Sequence, residues 1–367
     1  MFSEELTVLV AACNFLSFEL GAQPELRKYL RERYMDLVTV STVPTEKGNR
    51  ELDVFHRSFR VKRLKGIPRD KFVDDLWLDI EACERSELIK VAIDDKNFSE
   101  YTKNDLQQYY YDNHNDDFQQ WGTLYKEVIR ILLDKVLLAE LQKQLRKDLV
   151  KRAHEYVIAK SCDRFGRLLM APPFLKDGQT PCVVAFVIGT GPDGQRTMTA
   201  AALNEHGDLK EYKVFYHLTW EERQSPAVLR HKPAHDAEVD ECRELLRKHK
   251  AGLLVVGANC LDANKLKAKL LDVASSLDEE PWTVFGSTDV PLIFANSEKA
   301  RTEFPNHSVF LRQAISLGRF QQSPISEVLS LWNEDPHSNL VLSMNLHPMQ
   351  KEVPREKLVE ALRVRAI

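Results

Sequence analysis

The feature that most restricts what this sequence can fold into is the strand-rich stretch of residues 181–319. It opens with an apolar run at residues 182–188, and two further runs of strand character follow across tight turns, at 197–204 and 210–216. Helical spacing and short apolar runs then alternate, which predicts helices over 237–249 and 263–277 and strands over 252–257 and 281–285. The predicted order is therefore three antiparallel strands followed by helix, strand, helix, strand and helix.

That order of elements is the order of the ribonuclease H-like fold. Nucleases with this fold hold two divalent ions about 4 Å apart, using carboxylates on the first strand, at the end of the fourth strand and on the last helix. The corresponding parts of this sequence are apolar or neutral. We therefore predict an α/β domain with no catalytic residues and no metal site.

Length and charge set further limits. The chain has 367 residues, which is enough for two or three domains. Its 51 basic and 55 acidic residues leave a formal net charge of -4, so the chain as a whole is not attracted to nucleic acid or to acidic membranes. The six cysteines are far apart in sequence and form no Cys-x-x-Cys pair, which favours reduced thiols in the cytosol or nucleus over disulfides or a zinc site.

One apolar segment, residues 6–16, is too short to span a bilayer. Glu4 and Glu5 precede it, where a signal peptide carries basic residues. We predict a buried helix and no membrane association. Its place at the start of the chain suggests that the chain is part of a larger protein.

Residues 189–194, Gly-Thr-Gly-Pro-Asp-Gly, match the G-x-G-x-x-G pattern of dinucleotide-binding sites. The pattern binds a pyrophosphate only where the third glycine opens a helix. Here a strand-like run follows, so Pro192, Asp193 and Gly194 predict a hairpin turn. We expect no cofactor.

A cluster of His and acidic residues stands before the first helix of the strand-rich stretch. His231 and His235 with Asp236, Glu238 and Asp240 suggest a metal site. No further His or Cys lies at ligand spacing, and acidic residues at the start of a helix commonly cap it. We favour a solvated helix entry.

Two short stretches are rich in basic residues and are the candidate nucleic-acid-binding sites. The first contains Arg27, Lys28, Arg31 and Arg33, and the second contains Arg57, Arg60, Lys62 and Arg63 with Phe55 and Phe59 interleaved. Basic side chains beside aromatic rings are typical of surfaces that contact phosphates and stack on bases. A solvated basic face paired with neighbouring acids is the alternative for both stretches.

The rest of the first half is mainly helical in character. Pro24 predicts a helix start, residues 44–49 predict a turn, and residues 71–85 predict a helix. Residues 101–121, with three tyrosines in a row at 109–111, fit no element clearly.

Apolar residues recur at helical spacing from residue 124 to residue 170. This spacing predicts a long helix or a pair of helices between the two halves of the chain. Pro172-Pro173 and Asp177-Gly178 then predict a linker.

Several segments resemble the Tex-like family. In the first half they are Pro-Glu-Leu-Arg-Lys-Tyr-Leu-Arg at 24–31 and Val-Pro-Thr-Glu-Lys-Gly at 43–48, followed by Asp53 and His56. Residues 295–305 and 311–320 are similar to the YqgF domain of that family, which has the ribonuclease H-like fold. Residues 346–354 are similar to the lead-in to its helix-hairpin-helix domain. The resemblance covers nearly the whole chain.

The resemblance implies a multidomain α + α/β chain, in which a helical N-terminal half is joined by long helices to a YqgF domain. Residues 1–95 would be the core segment associated with a helix-turn-helix domain and 96–175 the linking helices. Residues 176–335 would be the YqgF domain and 336–367 the lead-in to a helix-hairpin-helix domain. Aligned with active resolvase-like relatives, the catalytic acids fall at Val187 or Ile188, near Thr288, and at Ser323, none of which is a carboxylate.

The resemblance further implies a non-catalytic scaffold of a transcription elongation factor and histone chaperone that acts with RNA polymerase II on chromatin in the nucleus. The expected partners are histones or nucleosomes and the polymerase elongation complex, with DNA or RNA contacted through the basic stretches. The alternative is a metal-dependent, structure-directed nuclease of the Holliday-junction resolvase type that uses Asp262 or Asp289, although a lone carboxylate cannot hold two ions. A plain DNA-binding module is a third possibility, and it requires the two basic stretches to form one surface.

Overall fold

The computed structural model describes residues 2–113, 118–191, 194–219 and 232–366. The chain forms two compact units. The first unit comprises residues 1–159 with 351–353, and the second comprises residues 160–350 with 354–367. The four-part division expected from the sequence, including a lead-in to a helix-hairpin-helix domain at 336–367, stays a prediction.

Helices dominate the chain up to Leu169. They are α1 (Phe2–Ala22), α2 (Pro24–Leu37), α3 (Glu46–Glu51), α4 (Leu76–Arg85), α5 (Lys96–Asn113), α6 (Phe118–Ile131) and α7 (Leu138–Leu169), with 3-10 turns at Arg57–Val61 and Arg69–Lys71. Pro24 begins α2 as predicted, since the first helical turn leaves its N–H groups unpaired and proline has none to lose. A π-helical turn, Leu132–Leu137, joins α6 to α7, which confirms the predicted helical structure, a long helix or a pair of helices, in this part of the chain.

The prediction of a buried helix near the start holds for only one face of α1. Cys13 and Ser17 are buried, and Ser17 Oγ donates to the carbonyl of Val128 on α6 at 2.9 Å. Val8 and Phe15 on the other face are exposed. In the described part of the chain, no helix is long and apolar enough to cross a bilayer.

The first unit also contains a small antiparallel sheet that the sequence analysis missed. Its strands are β1 (Thr39–Pro44), β2 (Ile67–Pro68) and β3 (Ile89–Asp94), in the order β2-β1-β3. The turn predicted at 44–49 is wrong, because Thr45 Oγ1 accepts the N–H of Gly48 at 3.0 Å and so caps α3. The helix predicted over 71–85 is confirmed from Leu76 onward as α4.

The second unit contains a five-stranded mixed sheet, as predicted. Its strands are β4 (Val183–Thr190), β5 (Arg196–Leu203), β6 (Leu209–Phe215), β7 (Leu253–Gly257) and β8 (Trp282–Gly286). Their order is β6-β5-β4-β7-β8, with β4, β5 and β6 antiparallel and β4, β7 and β8 parallel. This confirms the order of three antiparallel strands followed by alternating helices and strands.

Helices cover both faces of this sheet. The helices that follow β6 in the chain are α8 (Lys232–Lys248), α9 (Asp262–Ala274), α10 (Asp289–Asn296), α11 (Glu298–Glu303), α12 (Val309–Gln322), α13 (Pro324–Leu329) and α14 (Arg355–Ala366), with 3-10 turns at Leu340–Ser343 and Gln350–Glu352. Residues of α8 and α9 pack with Val184 and Phe186 on one face of β4, and residues of α12 pack with Val183 and Ala185 on the other. Because successive strand residues point to opposite faces, a strand buried on both sides appears in the sequence as a continuous apolar run.

The predicted linker before the sheet is confirmed as a turn. Lys176 and Gln179 form an isolated bridge, and Asp177 and Gly178 between them have φ angles of 52° and 78°. The cysteines are free: Cys13, Cys83 and Cys242 are buried, Cys162 and Cys182 are half-buried, and Cys260 is exposed. Burial raises the pKa of Cys242 to about 12, which makes this thiol a poor nucleophile.

Candidate functional site

The end of β4 is the place where an active nuclease of this fold carries its first carboxylate. Val187 and Ile188 stand there, and both are buried. Val187 packs in the cluster beneath α12, and Ile188 packs in the cluster beneath α8 and α9. These two positions are therefore part of the hydrophobic core and offer no carboxylate.

An aromatic ring closes the next position along β4. A Cβ placed on Gly189 would lie 2.6 Å from the ring of Phe310, at the start of α12, so only glycine allows this approach. Phe310 packs against the same cluster as Val187. The ring therefore lies over the backbone where a nuclease needs space for metal ions.

The remaining positions compared with the nuclease ligands are also neutral. After β7, Asn259 Nδ2 donates to the carbonyl of Ile188 at 3.0 Å, so this side chain ties the ends of β4 and β7 together. Thr288 stands just before α10. At the end of α12, Ser323 Oγ donates to Ser326 Oγ at 2.7 Å. None of these positions carries a charge that could hold a metal ion.

The two acids of the nuclease alternative do not replace the missing ligands. Asp262 forms an ion pair with Arg196 at the start of β5. Asp289 is exposed in the first turn of α10. Over the described residues, no three His, Cys, Asp or Glu side chains lie where they could hold a metal ion. A pair of ions bound by protein carboxylates has no site in this part of the chain.

The glycine-rich motif forms a hairpin turn, as predicted. Thr190 of β4 pairs with Arg196 of β5, and the N–H of Gly191 donates to the carbonyl of Gln195 at 2.7 Å. A strand follows the motif where a dinucleotide site needs a helix. Pro192 and Asp193 lie outside the described residues.

The cluster of His and acidic residues is a packed helix entry. His235 is buried, which corrects the expectation of a solvated entry, and its Nδ1 lies 3.1 Å from Asp236 Oδ1. The Glu238 carboxylate accepts the N–H groups of Tyr216 and His217, at 2.9 and 2.7 Å. Glu238 therefore holds the end of β6 against α8. His231 lies outside the described residues.

The first basic stretch lies along α2. Arg27, Lys28 and Arg31 are exposed, and none has an ion pair among the residues that the structure describes. Arg33 is also exposed, and its guanidinium lies 5.6 and 5.5 Å from the ring centroids of Tyr29 and Tyr101. Arg33 is therefore held by cation–π contacts, while the other three cations remain available to a partner.

The second basic stretch is largely occupied by internal contacts. Arg60 donates to Asp75 and to Asp79, at 2.8 Å in both cases, and Arg57 lies 3.5 Å from Asp75. Lys62 Nζ donates to the carbonyl of Leu52 at 2.6 Å. Arg57 and Arg60 are thus paired with neighbouring acids, as the alternative for this stretch expected, whereas Lys62 bonds to a backbone carbonyl.

Other members of the second stretch still face solvent. Arg63 is exposed and has no ion pair among the described residues. Phe55 is almost fully exposed, and its N–H donates to Asp53 Oδ1 at 3.1 Å. The basic character of this stretch is evident in the sequence, but its pairing with Asp75 and Asp79 is not, because these acids lie far from Arg60 along the chain.

A buried carboxylate outside the sheet also escaped the sequence analysis. Glu327 of α13 is buried, and Ser316 Oγ of α12 donates to its Oε1 at 2.5 Å. Burial raises the pKa of the Glu327 carboxyl, and the hydrogen bond from Ser316 opposes part of that rise. No local pattern marks Glu327 as buried, because α13 has only six residues.

We expect Glu327→Gln to raise the thermal unfolding midpoint at neutral pH. A carboxyl whose pKa is higher in the folded state contributes stability below its unfolded pKa, about 4.3, and loses that contribution as the pH rises through the folded pKa. Glutamine stays neutral and still accepts the Ser316 hydrogen bond, so the gain should shrink in acid. Thermal melts across pH measure this, with the exposed Glu298→Gln as control; equal midpoints at neutral pH would contradict it.

Comparisons with known proteins agree with this geometry. Residues 177–331 match a YqgF family model described as Holliday-junction resolvase-like of SPT6. Transcription elongation factor SPT6 of Drosophila melanogaster is 24% identical over 386 residues, which cover 98% of this chain and 21% of that protein. The SPT6 homolog of Arabidopsis thaliana is 25% identical over 371 residues, which cover 95% of this chain and 22% of that protein. The protein spt-6 of Neurospora crassa is 27% identical over 378 residues, which cover 97% of this chain and 25% of that protein. The chain spans about a quarter of the length of these relatives.

Proposed function

We propose that the chain is a non-catalytic scaffold of a transcription elongation factor, because residues 177–331 match the YqgF model of SPT6 and SPT6 relatives are similar to nearly the whole chain. The observation that carries this proposal is the neutral end of β4, where Val187 and Ile188 are buried and Phe310 packs over Gly189. A fold that keeps the nuclease architecture without its ligands can still hold partners in fixed positions. A fold alone does not establish an activity, so the proposal rests on the residues at the end of β4.

We further propose that the chain acts in the nucleus, with RNA polymerase II and with histones or nucleosomes as partners. The names of its relatives, transcription elongation factors of animals, plants and fungi, support the polymerase partner. The histone-chaperone role rests on the resemblance to the Tex-like family.

A binding assay with purified components tests these partners. The full chain would be mixed with a reconstituted RNA polymerase II elongation complex, with nucleosomes, or with both, and complexes would be resolved on native gels. We expect retention on the elongation complex or on the nucleosome at micromolar concentrations of the chain, about 8 kcal/mol of binding free energy. No retention on either would overturn the scaffold proposal.

Nucleic-acid contact is a second element of the proposal. Of the candidate residues, Arg27, Lys28, Arg31 and Arg63 are exposed cations without an ion pair among the described residues, which favours them as phosphate contacts. Arg33, Arg57, Arg60 and Lys62 are engaged by rings, carboxylates or carbonyls and would contribute less.

We expect reversal of the free cations to weaken DNA binding. Changing Arg27, Lys28, Arg31 and Arg63 to glutamate should lower affinity for duplex DNA and reduce the salt dependence, by about 0.9 in the log–log slope for each phosphate that is no longer neutralised. Fluorescence anisotropy across a salt series measures both quantities. Reversal of four other exposed cations, Lys299, Arg301, Arg355 and Lys357, is the matched control. Unchanged affinity in the fourfold variant would remove these residues as a DNA-binding surface.

A further inference from the structure

We propose that the outer edge of β8 binds an extended peptide segment of a partner protein, added to the sheet as a further strand, with an acidic residue of that segment held by Lys267. Strand addition of this kind takes affinity from main-chain hydrogen bonds and specificity from the side chains beside the edge. The binding surface belongs to the second unit alone and does not depend on the proposed function.

The backbone of β8 has hydrogen-bonding groups on its outer side that pair with no other described residue. β8 is the last strand of the five-stranded sheet and pairs only with β7 among the described residues. The N–H of Trp282 donates to the carbonyl of Gly252, and the carbonyl of Gly286 accepts from Ala258, both at 3.1 Å. In a parallel ladder the residues that bond to one neighbour alternate along the strand. The N–H and C=O groups of Trp282, Val284 and Gly286 therefore point towards β7, and those of Thr283 and Phe285 point outward.

Nothing in the strand itself protects this edge. Sheets usually shield an edge with a charged residue, a proline or a bulge. β8 has the sequence Trp-Thr-Val-Phe-Gly, with no charge and no proline. Its register with β7 runs without interruption from Leu253–Trp282 to Gly257–Gly286. The edge is thus straight, uncharged and open to pairing.

Apolar side chains flank the open edge on both faces of the sheet. Trp282 is 62% exposed on the face covered by α12, and Phe285 is 42% exposed on the face covered by α9. Side chains of an added strand would alternate between these faces. Apolar residues of the incoming segment would therefore cover Trp282 and Phe285 in turn, which favours a segment with apolar residues on both faces.

The charges beside the edge select the occupant. Lys267 of α9 has its Nζ 4.4 Å from the ring centroid of Phe285, and it has no ion pair among the described residues. At the other end of β8 the chain carries Asp278, Glu279 and Glu280. An acidic side chain is thus attracted at the Phe285 end and repelled at the Trp282 end, which places the acidic residue of the segment beside Phe285.

The test uses a short fluorescent peptide of consecutive valines with one glutamate, so that both faces of the added strand are apolar. It is titrated into the full chain and binding is followed by anisotropy. Thr283→Pro removes an outward N–H without touching the bonds to β7, since proline is tolerated on an edge strand. Thr283→Val keeps that N–H and is the matched control. We expect about tenfold weaker binding for Thr283→Pro, which corresponds to about 1.4 kcal/mol, and unchanged binding for Thr283→Val. Lys267→Glu should also weaken binding, without altering the sheet.

Hydrogen exchange supplies an independent readout. The outward amides of Thr283 and Phe285 should exchange faster than those of Val284 and Gly286 in the free chain, and should slow when the peptide binds. The proposal is overturned if the native chain shows no binding at peptide concentrations up to about 1 mM, or if Thr283→Pro and Lys267→Glu bind as well as the native chain. Sedimentation that shows a concentration-dependent dimer, abolished in Thr283→Pro, would overturn it in favour of a second copy at this edge.

Discussion

Replacing Gly48 with alanine is expected to destabilise the first unit by about 3 kcal/mol, the upper part of the usual range for overpacking a core. Gly48 is buried in α3, and a Cβ there would lie 1.8 Å from the carbonyl oxygen of Leu88. The obstacle is backbone and not a flexible side chain, so relief requires α3 to separate from the residue before β3. The Thr45 side chain, which caps α3 and donates to the Glu87 carbonyl at 2.7 Å, would be displaced with it.

The sign of the change in stability distinguishes a tightly packed glycine from an exposed one. At an exposed helical position, glycine to alanine stabilises a protein by about 1 kcal/mol, because alanine has the higher helix propensity. Asn49→Ala in the same helix is the matched control, since Asn49 is exposed, and its effect should stay within about 0.5 kcal/mol. Chemical denaturation of both variants measures the difference. A neutral or stabilised Gly48→Ala protein would contradict the close approach of α3 to Leu88.

Replacing Arg60 with alanine is expected to cost about 2 kcal/mol, because it leaves buried carboxylates without their charged donor. The side chain of Asp79 is 3% exposed, and after the substitution it would keep the hydrogen bond from Ser58 Oγ at 3.0 Å. Asp75 would keep its longer contact with Arg57. The Arg60 side chain is 43% exposed, so water can replace part of the interaction, which places the expected cost below that of a fully buried pair.

A double-mutant cycle separates this interaction from a general loss of packing. The cost of Arg60→Ala should fall by at least about 1 kcal/mol when Asp79 is already asparagine, since coupled residues are not additive. Arg63→Ala, which removes a neighbouring exposed cation without an ion pair among the described residues, should change stability by less than about 0.5 kcal/mol. Equal effects of the two arginine substitutions would contradict a structural role for Arg60 and return it to the set of free cations.

Local patterns in the sequence were sufficient to predict the strands of the sheet in the second unit. Its central strands β4 and β7 are continuous apolar runs, and turns or helical spacing separate the strands. The small sheet of the first unit was missed because its strands are short and far apart: Thr39 of β1 pairs with Asp94 of β3. The alternation of inward-facing and outward-facing residues in β1 can be recognised only once β3 is known to be its partner.

At the candidate site too, the sequence reveals the residue types but not the contacts between distant residues. That Val187 and Ile188 are not carboxylates is evident in the sequence, and so is the neutral character of Thr288 and Ser323. That Phe310 covers Gly189 is not evident, because the approach joins residues far apart in the chain and a lone glycine has several possible reasons. Contacts between distant segments leave no periodic signal in the sequence.

The central claim, that the YqgF domain binds without cutting, is tested most directly by a cleavage assay. The purified chain would be incubated with end-labelled duplex and four-way-junction DNA in magnesium or manganese, and the products resolved on a denaturing gel. We predict intact DNA under all conditions, because the end of β4 offers no carboxylate and Asp262 is paired with Arg196. Metal-dependent cuts that persist after repurification and vanish in Asp262→Ala or Asp289→Ala would contradict the claim and make the chain a nuclease.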